Sequence, residues 1–471
     1  MASAAASIAA PNVGGGQFMP LPTTRAYDST TASIAQTPVA VTLAGVAGVP
    51  TDAIAVAMNV EVYGPTAGGY VRITPFNQDS SVASQEFSAG QAISNLVVVK
   101  LNNGKVQVHV SAGRARILMD VAGYYTYSPG SLFNALPTAR AYDSGTVSIA
   151  ATPVPVQLAG VAGVPDDATA VVVNTEVYGP TTSSYVRVTP FGQDAGVATQ
   201  EFSASKAISN LVVVKLVSGK AQVSVHAGKA RILMDVEGYF SDTNTDTNGA
   251  TYVPLPTARA YDSNTVSVGL TPVVVTLGGV VGVPADATAV VVNTEVYQPQ
   301  STSYVRVTPY GQDAVVAAQE FVAGQAISNL VTVELVRGKA QVSIHNGKAR
   351  ILMDVAGYYT TNTPPPVDLV ATSSTTTGIT LGWTPSGSPL VTGQQIRRTS
   401  TNVPPATEAD GTLVANVDAG VSSYADTGLT TGTTYSYTVF SEEASQAPAG
   451  SSVVTATQQF GWTAPQTIDP V

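Results

Sequence analysis

Val171-Val172-Val173-Asn174-Thr175-Glu176-Val177-Tyr178 alternates along its length. Val171, Val173, Thr175 and Val177 point to one side of an extended chain, and Val172, Asn174, Glu176 and Tyr178 to the other. This density of β-branched residues predicts a strand and argues against a helix. Residues 179–184 read as a loop, after which Tyr185-Val186-Arg187-Val188-Thr189 alternates again. It stops at Pro190, which has no N–H to give a ladder. A hairpin closed by that loop pairs Tyr178 with Tyr185, Glu176 with Arg187 and Asn174 with Thr189 on one face. A second hairpin is expected where 221–225 turns at Gly228 and returns through 230–236.

Both segments recur. Asn59, Glu61 and Tyr63 stand with Tyr70, Arg72 and Thr74, and Asn293, Glu295 and Tyr297 with Tyr304, Arg306 and Thr308. They belong to a longer block present three times. Pro22-Thr23-Thr24-Arg25-Ala26-Tyr27-Asp28 opens the first copy and Met119-Asp120-Val121-Ala122-Gly123-Tyr124-Tyr125 closes it. The same signposts return at Arg140 and Asp235, then at Arg259 and Asp354, with no insertion inside any copy. A period this long predicts whole domains in tandem. The expected organisation is a flexible arm over 1–17, repeats over 18–127, 131–240 and 252–361, a different domain over 367–459 and a tail over 460–471. Strands this dense, punctuated by Gly and Pro, predict an all-β chain with a β-sandwich or β-barrel in each repeat. The repeats are expected to follow one another as an elongated string. First and last strands of a domain often pair, so Arg25–Asp120, Arg140–Asp235 and Arg259–Asp354 are expected to be structural bridges. Pro364-Pro365-Pro366 reads as a stiff spacer.

Composition limits the chemistry. The 471 residues include no cysteine, which removes disulfides and thiolate metal sites. Only 11% are charged, with a net charge of −10 and no basic cluster, unlike a nucleic-acid binder. No apolar run reaches the length of a membrane span, so membrane insertion is not expected. No Lys or Arg precedes Arg25, so the charged region of a secretory signal is not expected either. The three histidines do not keep register: His226 and His345 align with Ser111, whereas His109 aligns with Ser224. A required base or metal ligand should not shift between copies, so no metal, cofactor or catalytic residue is assigned. Glu201 with Asp194 and Glu320 with Asp313 are the carboxylates that could pair as in a glycosidase, but no pocket signal accompanies them.

The Pro-Thr-x-Arg-x-x-Asp opening, the Val-Asn-x-x-Val strand, the Asn-Leu-Val segment and the Asp-Val-x-Gly-Tyr-Tyr/Phe ending together resemble an accessory β-domain of actinobacterial cell-surface proteins and of tail proteins of their phages. That resemblance implies attachment or display. Residues 367–459 resemble a fibronectin type III domain. Ile379-Thr380-Leu381-Gly382-Trp383 looks like its second strand, and Tyr435 stands where the family has its structural tyrosine.

These features lead to an expectation of a non-enzymatic structural protein on a tailed-phage virion, a minor tail or fibre protein, made in the host cytoplasm and released by lysis. Its expected partners are other virion proteins and host cell-wall glycans. The Asn/Glu/Tyr and Tyr/Arg sets of the three copies are the candidate glycan contacts. The alternatives are a capsid- or tail-decorating protein, with the N-terminal arm or the Trp462 tail as docking element, and a bacterial adhesin. A homo-oligomer is compatible with the sequence, though no long heptad segment enforces one.

Overall fold

A computed structural model of the chain describes residues 15–457, apart from 31–32, 79–81, 128–129, 147, 194–195, 243–248, 265–266, 313–315, 362–366, 386–390, 406 and 444–452. The proposed N-terminal arm up to residue 14, Asp194, Asp313, the Pro364–366 spacer and the Trp462 tail lie outside the described residues. Every regular element described is a β-strand, and the fold is all-β. Two compact units divide the chain: Gly16–Thr361, and the residues from Asn362 onward.

The first repeat has eight strands: β1 (Gln17–Asp28), β2 (Val39–Thr42), β3 (Ala55–Tyr63), β4 (Gly69–Pro75), β5 (Gln85–Phe87), β6 (Ile93–Lys100), β7 (Lys105–Val110) and β8 (Arg116–Thr126). They form two antiparallel sheets, one ordered β1-β8-β3-β6 and the other β2-β7-β4-β5. The second and third repeats follow the same plan. Val56, Met58, Val60 and Val62 of β3 meet Val71 and Ile73 of β4 between the sheets. Each such side chain contributes roughly 1.5–3 kcal/mol through burial. Each repeat is therefore a β-sandwich.

This arrangement corrects both expected hairpins. β3 pairs with β6 and β8, and β4 pairs with β5 and β7. In the second repeat Glu176 lies opposite Ser209 and Leu233, and Arg187 lies opposite Ser224. The segment 221–225 likewise stays in one sheet while the strand after Gly228 joins the other. The valines explain the difference. A hairpin would put both valine rows on one face of a single sheet, whereas two facing sheets bury each row against the other.

The repeats of Gly16–Thr361 are not an elongated string. They close on one another around a pseudo-threefold axis. β6 and its counterparts Ile208–Lys215 and Ile327–Glu334 touch one another in all three combinations. Backbone bridges join Phe18 to Ser131, Phe133 to Ala250 and Gly16 to Tyr252. A core shared by all three repeats forms there, with Phe18, Phe133 and Tyr252 packed among Tyr125, Phe240 and Tyr359. Phe18 stacks on Phe240 at 4.3 Å, and Phe133 on Tyr359 at 4.0 Å. The glycine of the closing motif makes this possible. A Cβ on Gly123, Gly238 or Gly357 would lie 2.3, 2.4 or 2.4 Å from the ring of Phe18, Phe133 or Tyr252.

The C-terminal unit is a smaller sandwich. Val367–Ser374, Gly378–Thr384 and Ser423–Thr427 form one sheet, and Thr412–Asp418, Val391–Thr399, Thr434–Glu443 and Val453–Thr457 the other. Trp383 is buried in its core and donates from Nε1 to Gln394 Oε1 at 2.7 Å. Tyr435 Oη accepts from Thr430 N at 3.0 Å, five residues back.

Candidate functional site

The residues first grouped on one hairpin face occupy three different places. The asparagines face neighbouring repeats. Asn59 donates to Ala198 O, Asn174 to Ala317 O and Asn293 to Ala83 O. Their Oδ1 atoms accept from Asn210, Asn329 and Asn95, the asparagines of the Asn-Leu-Val segments. Those asparagines in turn accept from Leu96 N, Leu211 N and Leu330 N across the interface, at 3.0–3.1 Å. An edge strand left bare would expose these N–H groups. Here each is covered by an amide from the next copy, in a closed cycle.

Glu61, Glu176 and Glu295 lie one step farther along the same strand face. Burial pushes their carboxyls up, against the pull of Arg25, Arg140 and Arg259. Across each interface stands a second carboxyl: Glu201 beside Glu61, Glu320 beside Glu176, and Glu86 beside Glu295. Burial, then the charge of the first glutamate, raises each to about 8. Ser94, Ser209 and Ser328 donate to one oxygen of each at 2.6 Å. The other oxygen has no hydrogen-bond partner among the described residues. Glu201 and Glu320, considered above as glycosidase carboxylates, therefore sit inside the repeat interfaces. Both also line a cavity at the junction of the repeats.

Arg25, Arg140 and Arg259 form two-pronged bonds to Asp120, Asp235 and Asp354, joining the first and last strands of each repeat. Burial pushes all three aspartates up even so.

On the second sheet, Arg72, Arg187 and Arg306 donate to Tyr70, Tyr185 and Tyr304 Oη at 2.8–2.9 Å and lie over the same rings. His226 and His345 stack nearly parallel on Tyr185 and Tyr304 at 4.5 and 4.6 Å. His109, two residues out of register, lies opposite Arg72. Two residues is one step along the same strand face, so all three histidines border equivalent Tyr–Arg pairs. The two-residue offset in sequence therefore keeps each histidine beside its own repeat's Tyr–Arg pair.

Tyr63, Tyr178 and Tyr297 are in the third place. The first two are 52% exposed, an unusual position for a large aromatic ring. Each closes a strand face that runs from small residues in the axial core, Ala55 and Ala57 in the first copy, through Asn59 and Glu61 to the surface. Sequence reading did not identify their partners. Arg116, Arg231 and Arg350 lie opposite them on the neighbouring strand, 5.7–6.0 Å from the ring centroids. Asp28, Asp143 and Asp262 clamp these guanidinium groups through paired bonds of 2.5–2.8 Å. The arginine bond holds each of these carboxyls down at about 2. The recurring Ala-Tyr-Asp and Arg-Ile-Leu-Met-Asp segments could have pointed to these residues.

The unit has two distinct ends. Val177, next to Tyr178, pairs with Ile208, which lines an axial cavity of about 370 Å³ together with Gln91, Lys206 and Gln325. The axial aromatics lie at the other end of these strands. The chain enters at Gln17 and leaves at Thr360 beside them. Eleven-residue strands such as β8 separate the two ends by about 30 Å. Symmetry places the three tyrosines at one level, with Tyr297 more covered than Tyr63 and Tyr178.

No family model matches the chain, and neither does any curated protein. Among solved structures, it resembles an FN3 domain of human collagen XX at 23% identity, covering 21% of this chain and 94% of that one, with a TM-score of 0.17. It resembles the FN1–FN3 domains of chicken CNTN1 at 11% identity, covering 69% and 100%, with a TM-score of 0.19. A β-1,2-glucanase from Parabacteroides distasonis matches at 12% identity over 44% and 36%, with a TM-score of 0.16. The strand arrangement and buried Trp383 of the C-terminal unit are fibronectin type III-like.

Proposed function

We propose that this chain is a non-enzymatic attachment protein on the virion of a tailed phage, a minor tail or fibre component that presents three equivalent surfaces to a host cell. One observation carries the reading. The chain enters and leaves the threefold unit at one end and places the exposed Tyr63 and Tyr178 and the partly buried Tyr297 at the other. That division separates an anchoring end from a display end. The resemblance of the repeat motifs to phage-tail and actinobacterial surface domains supplies the setting. The proposed partners are virion proteins at the anchoring end and host-wall components at the display end.

Labelled antibody on purified virions, together with retention of the purified protein on host cells, tests the reading. Label at the tail with saturable retention is the expected result. Label on the head without retention favours the decoration reading, which the threefold surface also fits. Absence from virions would leave only a cellular adhesin.

A further inference from the structure

We infer that the Tyr–Arg–Asp cluster of each repeat is a binding site for a neutral pyranose sugar, three sites acting together at one end of the unit. The inference rests on the attachment reading and specifies what that surface takes. Each site has a flat apolar ring, Tyr63, Tyr178 or Tyr297, suited to the C–H face of a sugar. One face of the ring is bordered by an arginine already held by an aspartate. The clamped guanidinium and carboxylate provide donors and acceptors in a fixed geometry, so little side-chain freedom remains to be lost on binding. Their charges cancel. An anionic ligand would have to compete with the aspartate, and a cationic one with the arginine. A neutral, hydroxylated ring with an apolar face is the ligand that uses every group present.

The third copy is the most elaborated. Gln298, Gln300, Asn264 and Ser267 join Arg350 around a shallow cavity of about 430 Å³. The counterparts of the two glutamines in the other copies are Gly64 with Thr66, and Gly179 with Thr181. Gln298 has φ +49, in the left-handed region where its counterparts Gly64 and Gly179 also lie. A glutamine is strained there and a glycine is not. Glutamine at that position brings an amide to the cavity wall that the other two copies lack.

The full chain should be applied to an array of immobilised neutral hexopyranose oligosaccharides, with sialylated and uronate-bearing glycans as the charged arm. Binding to neutral glycans, competed by the free sugar, is expected. The triple variant Tyr63→Ala/Tyr178→Ala/Tyr297→Ala should lose on the order of 100-fold in apparent affinity at an unchanged melting temperature, as three linked weak sites require. Gln298→Gly should melt higher and bind less well, a pairing that a purely structural residue would not produce. Preference for the charged glycans, no neutral ligand on the array, or full binding by the triple variant would each overturn the proposal. Array binding without retention on host cells removes the attachment reading and leaves this site. Cell retention that survives the triple variant removes this site and leaves the attachment reading.

Discussion

One strand carries both halves of the molecule's design. On β3, Asn59 is buried in a cross-repeat network whose members recur in all three copies, while Tyr63, four residues on, stands half in solvent. The two point the same way from the strand, so sequence periodicity treats them alike. The neighbouring repeat separates them, by covering one and leaving the other bare. A face that looks uniform in one repeat becomes an interface at one end and a display surface at the other once three repeats close. Mutations along that face should therefore fall into two classes, with stability lost at the covered end and binding lost at the bare end.

The largest effect is expected at the asparagine cycle. Asn210→Ala removes the acceptor of Leu96 N and strands Asn59 Oδ1 and Thr199 O, all at a buried junction. Leaving such groups unpaired costs about 1–3 kcal/mol each, so a loss of about 3 kcal/mol or more is expected for this single change. Denaturant unfolding should show it. The triple Asn95→Ala/Asn210→Ala/Asn329→Ala chain should lose the compact threefold unit, with increased protease sensitivity and a larger hydrodynamic radius. A triple variant as compact as the parent would show that the axial core alone holds the repeats together.

The buried carboxyls make the same end sensitive to pH. Glu86, Glu201 and Glu320 have folded values of about 8 against an ordinary 4.5, as does Glu237, which accepts from Thr332 N at 2.8 Å. Values raised on folding mean the native state binds the extra proton. Their stabilisation is fully present below about pH 4.5 and is lost as pH rises through about 8. The slope is at most about 1.4 kcal/mol per pH unit for each group, shared with Glu61, Glu176 and Glu295. Asp28, Asp143 and Asp262 act oppositely, losing their contribution as pH falls through about 2, and their exposure makes it small. Melting temperature should therefore peak near pH 4–5 and decline toward pH 9. Glu201→Gln should flatten that decline. A pH-independent melting temperature, or one that rises toward pH 9, would show that these carboxyls are not held protonated.

What the sequence made legible follows from what is local. Alternation at Val171–Tyr178 identified strands, Pro190 ended one, and Trp383 marked a core, because each depends on a few neighbouring residues. The pairing of β3 with β6 and β8 was not legible. A hairpin and an arch between sheets give the same alternation, and only the common burial of both valine rows distinguishes them. The asparagines were singled out for their repetition, but the groups they serve, Leu96 N or Ala198 O, lie in other copies. The clamped arginines were missed because Arg116 and Tyr63 are far apart in sequence and adjacent only across the ladder.

A moderate effect is expected at the closing glycine. Gly238→Ala would place a methyl 2.4 Å from Phe133 Cζ and 2.7 Å from Asn134 O, and the second contact is backbone that cannot rotate away. Overpacking of this kind costs about 1–3 kcal/mol. If the ring is the main obstacle, Phe133→Leu in the same chain should recover part of the loss. A double-mutant cycle in the melting temperature reads the coupling directly. Purely additive losses would assign the clash to Asn134 O.

The smallest effect on stability tests the bare end. Tyr178→Ala removes a ring that Arg231 borders from one side, in a place where water already reaches half of the tyrosine surface. Arg231 keeps its two bonds to Asp143 without it. A change of about 0.5 kcal/mol or less in unfolding free energy is expected, as for other exposed positions. Calorimetry on Tyr178→Ala beside Asn210→Ala makes the contrast within one repeat. If Tyr178→Ala destabilised as much as Asn210→Ala, the exposed tyrosines would be part of the scaffold, and no display end would remain to distinguish from the interface. A negligible shift leaves Tyr178 as a residue whose retention the fold does not explain, and binding is then the property in which its loss must be read.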